Sequence, residues 1–109
     1  MKPLLPTLKE KKRYLAFEVM SDKFINFNLV SRAVQNSALS YIGSKGAAQA
    51  GIWLLNDKYK NNKGLIRISN RNVDDLKAAL ALIKDIDGNE VIVRSLGISG
   101  ILNKAEKYL

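Results

Sequence analysis

The strongest chemical signal in the sequence is a cluster of basic residues near its start. Residues 1–13 carry five cations and one carboxylate, a net charge of +4 in a chain of 109 residues whose total is +8. Lysine and arginine side chains that neutralise phosphates release counterions, which gives salt-sensitive binding with little sequence preference. A tail that only keeps the chain in solution would have the same composition. We predict a phosphate-contacting set made of Lys9, Lys11, Lys12, Arg13 and, further along, Lys45.

The residue types needed for catalysis are scarce. The sequence has no His and no Cys, so the commonest general base, the commonest metal ligand and a thiol nucleophile are missing. Asp74 and Asp75 are adjacent, and neighbouring residues on a helix diverge by about 100°. Ser99 lacks the spacing of a nucleophile elbow. We therefore predict no catalytic residue, and no metal or cofactor bound by the chain itself.

Length and composition are those of one globular domain. Hydrophobic residues make up 47% and charged residues 26% of the chain. No segment approaches the roughly 18 apolar residues of a membrane span, and the start does not resemble a signal peptide. We expect a cytoplasmic protein without membrane contact, with a basic arm over residues 1–12 and a single domain over residues 13–109.

The hydrophobic pattern predicts the element order β-α-β-β-α-β followed by a short helix. Alternation of apolar residues predicts strands over residues 13–20, 50–56, 63–69 and 91–98. Three- and four-residue spacing predicts helices over residues 28–42, 72–84 and 101–108. Asn28 is the expected N-cap of the first helix, Gly43 its end, and residues 44–49 a loop. This order predicts an α+β, ferredoxin-like or RRM-like fold, an antiparallel sheet with two helices on one face.

The sheet face that the two helices leave uncovered is unusually apolar. A bare solvated face would alternate with charges. Three explanations are open: the terminal helix folds over this face, a partner protein covers it, or it stacks RNA bases as in an RNA-recognition motif. The predicted partner-interface or sheet-face set is Tyr14, Trp53, Leu65, Arg67, Arg94 and Leu96.

The third strand argues against the standard RNA-stacking platform. Lys63–Gly64 matches the start of the corresponding RRM motif, but Leu65 and Arg67 stand where aromatic rings are needed. Arg67 and Arg94 suit phosphates or an acidic partner, and pairing with Glu18 or capping of the sheet edge is an equally weighted alternative. Lys58, Lys60 and Lys63 in the preceding connector would suit a second contact zone, but their Asn-rich context favours an ordinary solvated loop.

Five segments in register resemble the archaeal ribonuclease P protein component 2 family, over about residues 4–109. They are Leu8–Glu18, Ala50–Trp53, Lys63–Arg67, Asp75–Ile83 and Arg94–Gly100. The resemblance implies an RRM-like protein subunit of ribonuclease P, which removes the 5′ leader of precursor tRNA with RNA and Mg²⁺ as the catalyst. The implied partners are ribonuclease P RNA, precursor tRNA and ribonuclease P protein component 3, in a dimer of heterodimers. The alternative function is a free-standing RRM-like RNA-binding module outside such a complex.

Overall fold

A computed structural model describes residues 11–109 and confirms the predicted ferredoxin-like order. The elements are β1 Lys12–Met20, α1 Phe27–Ala50, β2 Trp53–Leu54, β3 Lys63–Ser69, α2 Val73–Ala81, β4 Asp85–Ile86, β5 Asn89–Glu90, β6 Ile92–Ser99 and α3 Leu102–Glu106. The central sheet has four antiparallel strands in the order β2-β3-β1-β6, and β4 and β5 form a separate small hairpin. Of the arm predicted over residues 1–12, residues 1–10 lie outside the described residues, and Lys12 is the first residue of β1.

Strand β1 lies in the middle of the sheet and sets its register. It pairs with β3 from Lys12↔Ser69 to Glu18↔Lys63, and with β6 from Tyr14↔Ser99 onwards. The pairing with β6 shifts by one residue between Ala16 and Phe17, as in a β-bulge. The start of β1 therefore lies at the same end of the sheet as the last residues of β3 and β6.

The main core lies between the sheet and the helices α1 and α2. Alternate residues of β1 face it, as the sequence predicts, and Leu15, Phe17 and Val19 are each at most 1% exposed. Full burial of such a side chain stabilises the fold by about 1.5–3 kcal/mol. Their buried neighbours on the helices are Val30, Val34, Leu76 and Leu80.

Helix α1 differs from its predicted bounds at both ends. Its N-cap is Asn26 instead of Asn28, because the Asn26 side chain accepts a hydrogen bond from the Leu29 amide at 3.0 Å. Gly43 was predicted to end the helix and instead interrupts it, with φ 77° and ψ 170°, a backbone conformation suited to glycine. The helix then resumes to Ala50, so the predicted loop over 44–49 is wrong. Alanines favour a helix in this segment, and Ala50 is buried in the core.

The extension of α1 shortens the second strand. Residues 50–56 were expected to be extended, but only Trp53–Leu54 is strand, because α1 takes Ala50 and a 3₁₀ turn takes Asn56–Lys58. Helix α2 ends at Ala81, earlier than predicted, while Ile83 beyond it remains buried. Among the helices of residues 11–109, none combines the length and apolar character that crossing a bilayer requires.

The connector between β2 and β3 is more ordered than a solvated loop. Asn61 and Asn62 both have positive φ, 54° and 61°, and form its turn. The Asn62 side chain accepts from the Ile25 amide at 2.9 Å and donates to the Lys23 carbonyl at 2.9 Å. The Tyr59 hydroxyl donates to the Ile25 carbonyl at 2.6 Å, and burial raises the pKa of Tyr59 to about 12. These bonds fix the chain where it enters α1.

Candidate nucleic-acid interface

Helix α3 covers the centre of the second sheet face. Ala105 is fully buried against Ala16 and Leu65, and a half-buried rim surrounds this contact. Of the three explanations open for this face, the terminal helix is the one that the folded chain itself supplies. The rim consists of Tyr14, Leu55, Leu96 and Leu102. Leu65 and Leu96 are thus sheet-face residues that lie under α3.

Two contacts hold α3 in place. Lys58 forms an ion pair with Glu106. The hydrogen bond and charge of Glu106 raise the pKa of Lys58. The Tyr108 ring lies so close to Gly97 of β6 that a Cβ at this position would overlap it. Lys58 is therefore an anchor for α3, and its assignment to a solvated loop is wrong.

The start of β1 brings three predicted phosphate-binding residues to one end of the sheet. Lys11 is exposed, Lys12 and Arg13 are half-buried, and the Arg13 Nε donates to Asn70 Oδ1 at 3.0 Å. The backbone of Lys11 accepts from the Asn70 amide at 2.8 Å. The chain leaving β3 therefore lies directly beside these cations.

Two arginines at the end of β3 and just after it enlarge the charged surface. Arg67, near the end of β3, and Arg71, just after it, are both exposed. Arg71 was missed by sequence reasoning, since only the β1–β3 register brings it next to the start of β1. We call this surface the basic end; it comprises Lys11, Lys12, Arg13, Arg67 and Arg71. Asp74, at the start of α2, shares a shallow groove with Arg13.

Of the two remaining predicted cations, the structure describes one, and it stands apart from the basic end. Lys9 lies outside the described residues. Lys45 is exposed in the last segment of α1 and not in a loop. That segment ends at Gly51, and the Lys12 side chain reaches this glycine: a Cβ added at Gly51 would lie 3.0 Å from Lys12 Nζ. The six-residue separation from Gly51 places Lys45 about 9 Å along the helix axis from this point.

The opposite end of the sheet carries carboxylates. An open cleft there is lined by Glu18, Asp22 and Glu90, together with Met20 and Ile92. Arg94 pairs with Glu18, its Nε and Nη2 lying 3.0 and 2.9 Å from Glu18 Oε1. Pairing is therefore the observed state of Arg94. Within residues 11–109, no group of three Asp or Glu side chains is arranged to hold a metal ion.

Arg67 and Trp53 remain open on the second face. Arg67 makes no hydrogen bond or ion pair with any residue in the described part of the chain. Trp53, directly opposite Arg67 in the β2–β3 ladder, is 65% exposed. Beyond the edge of α3, the face thus offers a free guanidinium and a free aromatic ring, groups that suit phosphates and flat rings.

Comparison with known proteins gives concordant relatives. Residues 13–109 match the sequence model of the Rpp14/Pop5 family. The chain is 37% identical over 106 residues to ribonuclease P protein component 2 of Pyrococcus furiosus, covering 97% of this chain and 88% of that one. It is 38% identical over 110 residues to the protein of the same name from Methanocaldococcus jannaschii, covering 100% and 81%.

A solved structure shares the fold at low sequence identity. A chain in the cryo-EM structure of yeast ribonuclease MRP superposes with a TM-score of 0.68, over 92% of this chain and 86% of that chain. The two are 12% identical, so this likeness concerns the fold alone.

Proposed function

The chain belongs to the Rpp14/Pop5 family, and from this membership we propose that it is a protein subunit of ribonuclease P. In this role it helps the catalytic RNA remove the 5′ leader of precursor tRNA, by binding the RNA and a partner protein subunit. The archaeal relatives are ribonuclease P protein components, as the resemblance in the sequence led us to expect. Catalysis belongs to the RNA and its Mg²⁺ ions, and this chain contributes binding.

The observation that carries the proposal is the basic end. Five cations from the start of β1 and the exit of β3 converge there. Each phosphate that they neutralise on duplex RNA or a single strand adds to a steep dependence of binding on salt. Lys9 and Lys45 are proposed to add further phosphate contacts.

Charge neutralisation suggests how such a subunit assists an RNA enzyme. A folded RNA brings phosphates together near its metal site, and their repulsion must be offset by Mg²⁺ or by protein cations. Lysine and arginine side chains fixed on a sheet supply that charge without the entropy cost of ordering a free tail. We therefore expect the chain to lower the Mg²⁺ concentration that cleavage needs.

The proposed protein partner is ribonuclease P protein component 3, in a dimer of heterodimers. Exposed apolar side chains remain on the second face at the end away from the basic end, with Met20 44% and Ile92 63% exposed. Because Met20 and Ile92 are directly opposite in the β1–β6 ladder, they form one patch. We propose this patch for the partner and place the complex in the cytoplasm, away from membranes.

The decisive experiment measures precursor-tRNA cleavage by a ribonuclease P RNA against Mg²⁺ concentration, with this chain, component 3, or both. The variant Lys11→Ala/Lys12→Ala/Arg13→Ala is expected to need more Mg²⁺ than wild type. Its matched control is Arg32→Ala/Lys77→Ala/Lys84→Ala, which removes the same charge from exposed positions on α1, α2 and the segment after α2. Control activity should equal that of wild type.

Two results would contradict the proposal. If cleavage with the variant Lys11→Ala/Lys12→Ala/Arg13→Ala had the same Mg²⁺ dependence as with wild type, the basic end would have no part in the mechanism. Absence of stimulation by any combination of folded proteins would favour the free-standing RNA-binding module, which predicts useful RNA affinity by this chain alone.

A further inference from the structure

Three side chains form a row across the second face, at its basic end. The register places Tyr14 of β1 opposite Arg67 of β3, and Arg67 opposite Trp53 of β2. Directly opposite residues have Cβ atoms about 4.5–5.5 Å apart. All three alternate in sequence with residues that face the main core, so they point to the α3 side. We call these residues the edge row.

Trp53 is the most accessible member of the edge row. It is 65% exposed, so the ring does little for the core. Strand β2 is an edge strand of the sheet, which leaves one side of the ring without a neighbouring strand. Tyr14, by contrast, packs against the cluster under α3. The edge row therefore has a packed ring, Tyr14, at one end and an exposed ring, Trp53, at the other.

Arg67 lies between the two rings with its donors unused by the described residues. Its counterpart Arg94, on the same face at the opposite end, is paired with Glu18, and Arg13 nearby is bonded to Asn70. A planar guanidinium binds phosphate through two parallel hydrogen bonds or stacks on a ring. Among the arginines of the sheet, Arg67 is therefore poised for an external anion.

We propose that the edge row is a binding site for one unpaired nucleotide of an RNA strand. Its base stacks on Trp53, its phosphate contacts Arg67, and the strand continues towards Lys12 and Lys11 at the basic end. The proposal rests on the proposed RNA-binding function and adds to it the kind of RNA recognised, a single-stranded segment. A base offers a flat face to an aromatic ring whatever its sequence.

The cations around the edge row favour RNA over a protein as the ligand. An apolar partner protein would have to cover Arg67 and the neighbouring cations, which disfavours burial without matching acids. A second copy of the chain would bring the same cations to face one another. A polyanion with flat rings satisfies both the charge and the exposed indole.

The site also differs from the usual RNA platform of this fold. In the RNA-recognition motif, rings at the centre of the sheet stack the bases. Here the corresponding centre holds Ala16 and Leu65 under α3. We therefore expect the base to stack at the β2 edge, which α3 does not cover, instead of at the sheet centre.

The test uses the intrinsic fluorescence of Trp53, the only tryptophan of the chain. The full chain is titrated with a ten-nucleotide oligouridylate and with an RNA duplex of equal length, alone and together with component 3. The difference between wild type and Trp53→Phe isolates the signal of this residue. Quenching is expected with the single strand and not with the duplex.

Affinities of matched variants complete the test. Trp53→Ala is expected to weaken single-strand binding about 5- to 150-fold, and Trp53→Phe to retain most of it because a ring remains. Arg67→Ala is expected to lower the salt slope by about 0.7, the share of one phosphate on a single strand. Both positions are exposed, so the melting temperatures should stay near that of wild type.

The outcomes separate this proposal from the function on which it rests. If single-strand binding and its loss in the basic-end triple variant are seen while Trp53 fluorescence and Trp53→Ala affinity stay unchanged, the edge row is wrong and the RNA-binding function stands. Quenching by component 3 instead of RNA makes the row a protein interface and overturns the proposal. Absence of RNA binding and of cleavage stimulation overturns both.

Discussion

The two faces of the sheet are built from alternate residues of the same strands but are buried to very different extents. On the first face, α1 and α2 enclose a continuous core that includes Leu15, Phe17 and Ile66. On the second face, only Ala16, Leu65 and Ala105 are fully buried within the cluster under α3. The first face therefore supplies most of the apolar stabilisation of the fold.

The difference shows where the molecule can bind without unfolding. Helix α3 spans Leu102–Glu106 and is too short to cover the whole sheet. Trp53 and Arg67 stay open at one end of its face, and Met20 and Ile92 at the other. The incompletely covered face carries the two proposed contacts, to RNA and to a partner protein, while the covered face maintains the fold.

The largest effect is expected from truncation on the first face. Phe17→Ala should lower the free energy of unfolding by about 3–5 kcal/mol, because the ring is buried and packs against Tyr59. Trp53→Ala, an exposed aromatic on the second face, should change it by less than about 0.5 kcal/mol. Urea unfolding measures both. Similar losses for the two variants would contradict the assigned difference between the faces.

A smaller loss is expected when α3 is displaced. Ala105→Asp places a carboxylate against Ala16 and Leu65 and should cost about 1–3 kcal/mol. The control Asn103→Asp adds the same charge at an exposed position of the same helix. Hydrogen exchange should show loss of protection in α3 with the main core intact. Global unfolding by Ala105→Asp would instead mean that the second face is essential to the fold.

The next effect is a loss of stability at high pH. Because the pKa of Tyr59 is raised by burial to about 12, the unfolded chain ionises this group near pH 10 while the folded chain keeps it neutral. The folded state therefore loses stability as pH rises from 10 through 12. The urea midpoint, compared between wild type and Tyr59→Phe, should fall less steeply in the variant. If the urea midpoint fell equally steeply with pH in both proteins, ionisation of Tyr59 would not be the cause of the lost stability.

The smallest effect is expected at Lys58, which precedes Tyr59 in the sequence and contacts α3 on the second face. Lys58→Ala removes the ion pair with Glu106, a partly exposed contact that salt screens. The variant should loosen α3 at low ionic strength by less than Ala105→Asp does, and should match wild type in molar salt. Amide exchange of residues 102–109 is the measurement. A defect that persists in high salt would indicate a packing role for the Lys58 stem.

Particular residues show where sequence reasoning succeeds and where it stops. The alternation of β1 and the bounds of β3 are confirmed. The N-cap at Asn26 and the helical segment after Gly43 were missed. In the first case two asparagines compete for one capping position, and in the second the sequence marks a break without showing that the helix resumes.

Local patterns in the sequence are sufficient for the order of elements, the faces of the strands and the clustering of positive charge at the start of the chain. These follow from periodicity and composition, which are local because a strand alternates its side chains every two residues. Three further features are visible only once the chain is folded: α3 covers the sheet centre, Arg94 pairs with Glu18 while Arg67 stays open, and Arg71 joins the basic end. Those outcomes depend on pairings between residues far apart in the chain, whose register is set by the packing of the whole sheet.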